Sequence, residues 1–587
     1  MRTPLRILTL FAVPVLAVAG CSSGPEQPKS VAERFADALT ADDVSAAAAL
    51  TDDPKAAADA LGPLYDGLGK QVKFEVRESK KDGGDGTFTL AATWKLGQDG
   101  KNEWSYTTSG TAKDADGWKV HWNPATVAPG LDQGPLSYGA AYAKPARILD
   151  SGGGELMTQQ VVTLVNLAPG ADTGAAAALL GPVSPGITAE SLAADLAGAQ
   201  GKTVTAITLR EGDIAPIEQQ LAAVPGVTLV KQTRLLTTDR ALASPTLSGL
   251  ADLWQQQADA ATGWAVRATT ADGSTVRVAG QDAKPTEDIR STLDIGWQRA
   301  AEAALAPIGQ AAAIVALQPS TGNVLAMAQN SAADAQGPIA LTGLYPPGST
   351  FKTVTVSAAL QAGLVTPDTV VACPGSANIE GRVIPNDNNF DLGNVPLHTA
   401  FAKSCNTTMG KLAVQLPADG LTNAGLQLGL GIDYVTPGLT TVTGKVPAAD
   451  TPAARVEAGI GQGTVVATPF GMALVAASIA RGSVPAPTVV TGQPGKPDRT
   501  PPALPADIPA QIKPMMRETV TAGTATALND IPDLMGKTGT AEYIDDKHAH
   551  GWFVGISGDL AFAVFIYDAG SSGPAVEAAG RMLRAPR

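Results

Sequence analysis

Pro346-Pro347-Gly348-Ser349-Thr350-Phe351-Lys352 runs straight into the apolar stretch TVTVSAALQAGL. A Pro-Pro-Gly sequence cannot extend a helix backwards, so the helix predicted from that stretch begins at or near Ser349. Ser349 and Lys352, three residues apart, then share one face of its first turn. A helix N-terminus favours negative charge developing on the serine oxygen. A serine hydroxyl is a weak nucleophile without a base, and a lysine is a base only when neutral. Burial and a neighbouring cation both lower a lysine pKa from its usual value of about 10.4. Phe351, Val354 and Val356 can supply the burial. Alone, a Ser-x-x-Lys pair is a weak signal, equally well explained by a solvated serine at a helix start beside an unrelated lysine.

Two further pieces change the reading. Ser404-Cys405-Asn406 lies between the helical stretches LHTAFAK and TTMGKLAVQL. Its hydroxyl can relay a proton and its amide can hold a substrate carbonyl. Lys537-Thr538-Gly539-Thr540 reads as a short strand ahead of two closing strands, GWFVGIS and LAFAVFIY. Lys537 supplies positive charge, Thr538 and Thr540 supply hydroxyls, and Gly539 leaves room for a substrate backbone along the strand edge. A second Ser-x-Asn, Ser376-Ala377-Asn378, follows Ser349 too closely to serve. A phosphate-binding loop at Lys537 is excluded because Ile531 stands where glycine is required.

The order Ser-x-x-Lys, Ser-x-Asn, Lys-Thr-Gly resembles the penicillin-binding proteins and serine β-lactamases. The strings TLDIGWQRAAEAAL, AAIVALQPSTGNVLAMA, PPGSTFK, GIGQG with TPFGMA, GKTGTAEY and GWFVGI resemble the monofunctional class B transpeptidases over residues 286–587. Residues 31–130 are similar to the NTF2-like N-terminal domain of the methicillin-resistance-type transpeptidases. Residues 131–285 are similar, more weakly, to the dimerisation or pedestal domain of that class. Nothing resembles a glycosyltransferase domain. Cys405 departs from the aspartate common at that place in lactamases.

The resemblance implies a multidomain α+β chain. Its C-terminal transpeptidase domain would be an antiparallel sheet with helices on both faces plus a helical subdomain. It implies a peptidoglycan D,D-transpeptidase that needs no cofactor, acts on stem peptides and is acylated by β-lactams. Lys352 would take the proton of Ser349. Ser404, supported by Lys537, would protonate the leaving D-Ala. Asn406 would hold the acyl-side amide, and Thr538 and Thr540 the terminal carboxylate. The N–H groups of Ser349 and Thr540 would form the oxyanion hole. The alternatives on the same residues are a D,D-carboxypeptidase or endopeptidase, a β-lactamase, and a non-catalytic cell-wall or division scaffold. A lactamase needs a base to activate water for deacylation, and no glutamate stands in a suitable loop.

Ahead of these motifs, the N-terminus reads MRTPLRILTLFAVPVLAVAGCSSG. Two arginines precede an apolar stretch interrupted by Pro14, shorter than the roughly 20 residues a membrane span needs. It ends Val18-Ala19-Gly20-Cys21, similar to a bacterial lipobox. Residues 1–20 are therefore read as a signal peptide, Cys21 as the site of lipid attachment and 21–30 as a tether; an ordinary secretory signal is the alternative. Two acyl chains hold stably to a bilayer, which places the protein on the outer face of the cytoplasmic membrane, within reach of cell-wall synthesis or division proteins.

The 587-residue chain carries a formal net charge of −13. With no Lys/Arg block, it is a poor partner for nucleic acid. Its 44% apolar and 17% charged residues fit a globular protein and exclude wholesale disorder. With Cys21 assigned to lipid, Cys373 and Cys405 are the only pair left for a disulfide in an oxidising compartment; two free, partly buried thiols are the alternative. No metal-ligand spacing is present, and His548 and His550 read as a half-exposed strand.

From Gln71 the hydrophobic period is two. Val72, Phe74 and Val76, then Phe88, Leu90, Ala92 and Trp94, then Trp104 and Tyr106, then Trp118, Val120 and Trp122 alternate between Asp/Gly turns, predicting an antiparallel meander behind N-terminal helices.

Overall fold

The computed structural model describes residues 27–114, 116–543 and 548–586. The signal segment, Cys21 and most of the tether lie outside them. No helix among the described residues is long and apolar enough to cross a membrane. Contacts divide the chain into two units: the residues through Lys144 with Ala260–Pro285, and Pro145–Asp259 with Thr286–Arg587. The segment 131–285 is thus shared between them.

In the first unit, helices Pro28–Thr40, Val44–Ala49 and Pro54–Leu68 precede a four-stranded antiparallel meander, Val72–Asp82, Asp85–Leu96, Asn102–Asp114 and Trp118–Val120. Asp43 and Asp53 cap the second and third helices, accepting from Ala46 N and Ala56 N, which satisfies amides the helix cannot. Phe88, Leu90, Ala92, Trp94 and Leu96 alternate inward against Val31, Phe35 and Leu39. Strand Leu136–Ala141 pairs with Gly263–Thr269, which pairs in turn with Thr275–Gln281. Val266 and Ala268 join the same core.

In the second unit, the long strand Glu155–Leu167 pairs with Val204–Arg210 and with Val227–Thr237. Its start pairs with Ile148–Leu149, which runs parallel to Ile289–Arg290. Ser291 Oγ donates to Leu149 O at 2.7 Å, and Thr292 Oγ1 reaches Val324 O and Thr488 O at 2.8 and 2.7 Å. Ile148, Leu156, Leu250 and Trp254 share one apolar core with the C-terminal part.

That C-terminal part is built on five antiparallel strands: β1 (Ala312–Leu317), β2 (Val324–Gln329), β3 (Met535–Glu542), β4 (Ala549–Ser557) and β5 (Leu560–Ile566), in the order β2-β1-β5-β4-β3. β1 and β5 are buried along their whole length, because both faces of the sheet are covered. Ala312, Ile314 and Ala316 turn toward α1 (Ile295–Leu305) and α7 (Gly573–Arg584). Ala313, Val315 and Leu317 turn toward α5 (Pro469–Arg481). Pro469 to Ile479 of α5 are all buried, as a helix apolar on every side must be. Thr468 caps it at Gly471 N, 2.9 Å, and it stops at Gly482 in a left-handed conformation. Between β2 and β3 lie the remaining helices, including α2 (Lys352–Gln361), α3 (Leu397–Ala402), α4 (Asn406–Ala413) and α6 (Asp507–Thr521). This is a mixed α+β multidomain chain.

β4 is one strand in from the edge, and this changes the place of His550. It is buried rather than half-exposed. Tyr543 stacks on it at 4.2 Å, and Tyr345, Phe565 and Tyr567 surround it. Burial pushes its pKa down to about 4, and Asp568 N donates to Nδ1 at 3.3 Å, so the ring is neutral.

Candidate active site

Ser349 occupies a single 3-10 turn, Gly348–Phe351, that opens directly into α2. It is half-buried, and among the described residues its hydroxyl makes no hydrogen bond. Phe351, Val354 and Val356 are fully buried, and so is Lys352 behind them. Lys352 Nζ donates to Asn406 Oδ1 at 2.6 Å and to Ser404 O at 2.7 Å, and lies 3.1 Å from Ser404 Oγ. The two short contacts use two N–H groups. In the neutral amine the third position is a lone pair.

Lys537, the third residue of β3, is also fully buried. Its Nζ donates to the same Ser404 Oγ at 2.9 Å and to Thr538 O at 3.0 Å. It lies 5.6 Å from the centre of the Phe401 ring, which steadies a cation. One hydroxyl therefore sits between two buried amines. Burial, the positive charge of Lys537 and, opposing them, Asp387 act on Lys352, and the net effect holds its pKa well below the usual lysine value. Burial alone brings Lys537 down to about 7.

Ser404 reaches this position at a cost. Its φ is +65°, a left-handed conformation worth about 1–3 kcal/mol of strain in a residue other than glycine. The turn presents both its carbonyl and its hydroxyl to Lys352. The Asn406 side chain is fixed at both ends, by Lys352 and by Nδ2 donating to Pro385 O at 2.8 Å. Among the described residues its second amide hydrogen has no acceptor.

Asn386, which the motif reading missed, holds this turn. Its Oδ1 accepts from the first amides of α4, Asn406 N at 2.8 Å and Thr407 N at 3.2 Å, while its Nδ2 donates to Pro374 O and Phe390 O. The asparagine-rich run PNDNN was its only mark in the sequence. Ser376-Ala377-Asn378 is spent in a hairpin, where Asn378 Oδ1 accepts from Gly381 N.

Cys405 turns inward and forms a disulfide with Cys373, tying the Ser404–Asn406 turn to strand Val370–Cys373. The closed loop spans a sequence separation of 32, and removing it should cost about 3–4 kcal/mol by loop entropy. A Cys373→Ser chain should show a lower denaturant midpoint than the wild type in non-reducing buffer. The two should be indistinguishable once the wild type is reduced.

β3 is an edge strand: among the described residues it pairs only with β4. The Gln462 carboxamide donates to Glu542 O at 3.1 Å and accepts from Glu542 N at 3.0 Å, in the one orientation that satisfies both its atoms. The Glu542 backbone groups thus point off the edge. In an antiparallel pair alternate residues share that direction, so Thr538 and Thr540 also aim N–H and C=O away from β4. Gly348, at φ +51°, lies so close that a Cβ there would meet Thr540 O at 2.4 Å.

Gly539 has a packing role that its sequence did not announce. A Cβ on it would meet Thr350 Cγ2 at 2.8 Å and Pro347 O at 3.0 Å. Its bareness lets the serine turn close on the strand. Thr538 is buried and Thr540 half-buried. No group of three or more His, Cys, Asp and Glu side chains among the described residues could hold a metal ion.

A helix-start serine, two buried amines sharing a second hydroxyl, and an edge strand with outward amides are thus brought together in one place. The family model of the penicillin binding protein transpeptidase domain matches residues 312–584. That of the NTF2-like N-terminal transpeptidase domain matches residues 27–135. The peptidoglycan D,D-transpeptidase PbpA of Mycobacterium tuberculosis is 28% identical over 308 residues, covering 44% of this chain and 61% of that protein. PbpA of Mycolicibacterium smegmatis is 30% identical over 326 residues, covering 46% and 64%. A solved D,D-transpeptidase domain of a peptidoglycan glycosyltransferase from Eggerthella lenta is 26% identical with a TM-score of 0.45, covering 55% of this chain and 94% of that one. The chain spans about three-fifths of the length of the PbpA relatives it matches. It carries a penicillin-binding-protein transpeptidase domain behind an NTF2-like N-terminal domain and is a homologue of the PbpA D,D-transpeptidases.

Proposed function

We propose that the chain is a serine-type peptidoglycan D,D-transpeptidase, working outside the cytoplasmic membrane and held there by lipid on Cys21. The observation that carries this reading is the convergence of Lys352 and Lys537 on Ser404 Oγ beside the Ser349 turn. Lys352, neutral because burial and Lys537 disfavour its charge, takes the Ser349 proton. Ser349 Oγ attacks the carbonyl of the penultimate D-Ala. The N–H groups of Ser349 and Thr540 stabilise the oxyanion, at about 3–4 kcal/mol per donor. The C–N bond breaks as Ser404 passes its proton to the departing D-Ala amine and takes up the one Lys352 holds, across their 3.1 Å contact, with Lys537 supporting that hydroxyl. The amine of a second stem peptide then attacks the ester and restores Ser349. A β-lactam enters the same sequence and stops at the ester.

Partition of the acyl group tests the reading. Supplied with a D-alanyl thioester donor and increasing D-amino acid acceptor, the enzyme should form amide product at the expense of free acid. Free acid alone at every acceptor concentration would replace the transpeptidase with a carboxypeptidase.

A further inference from the structure

The Thr538 hydroxyl has a partner outside the three motifs. Its Oγ1 lies 2.5 Å from Thr524 Oγ1. Thr524 stands just past the end of α6, and the residue before it, Gly523, is pressed against the site. A Cβ on Gly523 would meet Ala402 O at 2.4 Å and Thr519 Cα at 2.6 Å. The turn is therefore wedged at the end of α3, two residues ahead of Ser404. Glu518 on α6 fastens the same helix, accepting from Thr399 Oγ1 at 2.9 Å and pairing with His398. Thr524 is consequently held against Thr538 by its surroundings.

A hydroxyl carries one proton and two lone pairs, and an ionised carboxylate only accepts. When Thr524 donates, the Thr538 proton is left for a ligand; when Thr538 donates, it has none to give. We infer that Thr524 is a positioning residue that sets the Thr538 hydroxyl as a donor to the terminal carboxylate of the acyl donor. The inference rests on the transpeptidase reading of the site. Thr524 thereby sharpens selection for a chain ending in a free carboxylate over the same chain blocked at its end.

The test compares Thr524→Val, which keeps the shape and loses the donor, with Thr524→Ser, which keeps the donor. Thr524 is exposed, so neither change opens a cavity. Acylation second-order rate constants are measured for a thioester donor ending in a carboxylate and for the same donor ending in a carboxamide. The carboxylate-to-carboxamide ratio should fall about fivefold in Thr524→Val, the size of one hydrogen bond, and return in Thr524→Ser. A mere packing role would lower both constants together and leave the ratio alone. An unchanged ratio in the valine variant, or a serine variant as poor as the valine, would overturn the inference while the transpeptidase reading stands. A wild type acylated by neither donor nor by penicillin would overturn both.

Discussion

A chain with Ser349→Ala should take up no fluorescent penicillin on a denaturing gel while melting at the wild-type temperature. Loss of the nucleophile removes the bond-forming atom, so labelling should fall by at least about three orders of magnitude. Stability should hold because the Ser349 hydroxyl makes no hydrogen bond among the described residues and the turn around it is fixed by its neighbours. Gly348 N donates to Gly461 O at 3.0 Å, and Thr350 Oγ1 to Pro347 O at 2.7 Å. A surface-type change of this kind moves stability by no more than about 0.5 kcal/mol. Undiminished labelling of the alanine chain would remove Ser349 from the mechanism. Lost labelling with a collapsed melting temperature would show a structural role instead.

Replacing Lys352 with arginine should slow acylation of Ser349 by about 10²- to 10⁴-fold, the usual worth of a positioned general base. A guanidinium stays charged and has no lone pair to offer. The pH dependence separates this from simple misfit. In the wild type, only the neutral amine accepts the serine proton, so acylation rises with pH until Lys352 has lost its own. Lys537 lies beside it, and its positive charge disfavours a second ammonium. In a Lys537→Met chain that repulsion is gone and the ammonium of Lys352 is stabilised, so the rising limb of the rate profile moves to higher pH. Stopped-flow acylation between pH 5 and 10 reads both effects. A limb that stays in place, or moves lower, would show that the two amines do not act on each other.

Much of this site was legible because its chemistry sits in short local patterns. Pro-Pro-Gly stops a helix whatever lies around it, and Thr468-Pro469 with Gly482 bounds α5 by capping alone. The alternation from Phe88 to Trp94 gave the meander for the same reason. What escaped depends on partners distant in the chain. Asn386 caps a helix that begins twenty residues later, and nothing near it in the sequence says so. Gln462 lay inside the GIGQG string, yet its role as a clip on Glu542 needs the strand that it meets. His550 alternates with His548 as a half-exposed strand would, but its burial is decided by strand order, which one segment cannot report. Strands Leu136–Ala141 and Gly263–Thr269 pair across more than a hundred residues, so a boundary drawn from local texture could not see them join. Thr524 looks like any threonine after a helix.

Gly348 and Gly539 bring nucleophile and strand together without a side chain on either. Any larger residue at either position would push the serine turn and the strand apart. Neither position can therefore drift by small steps: the first added carbon already meets the opposite wall.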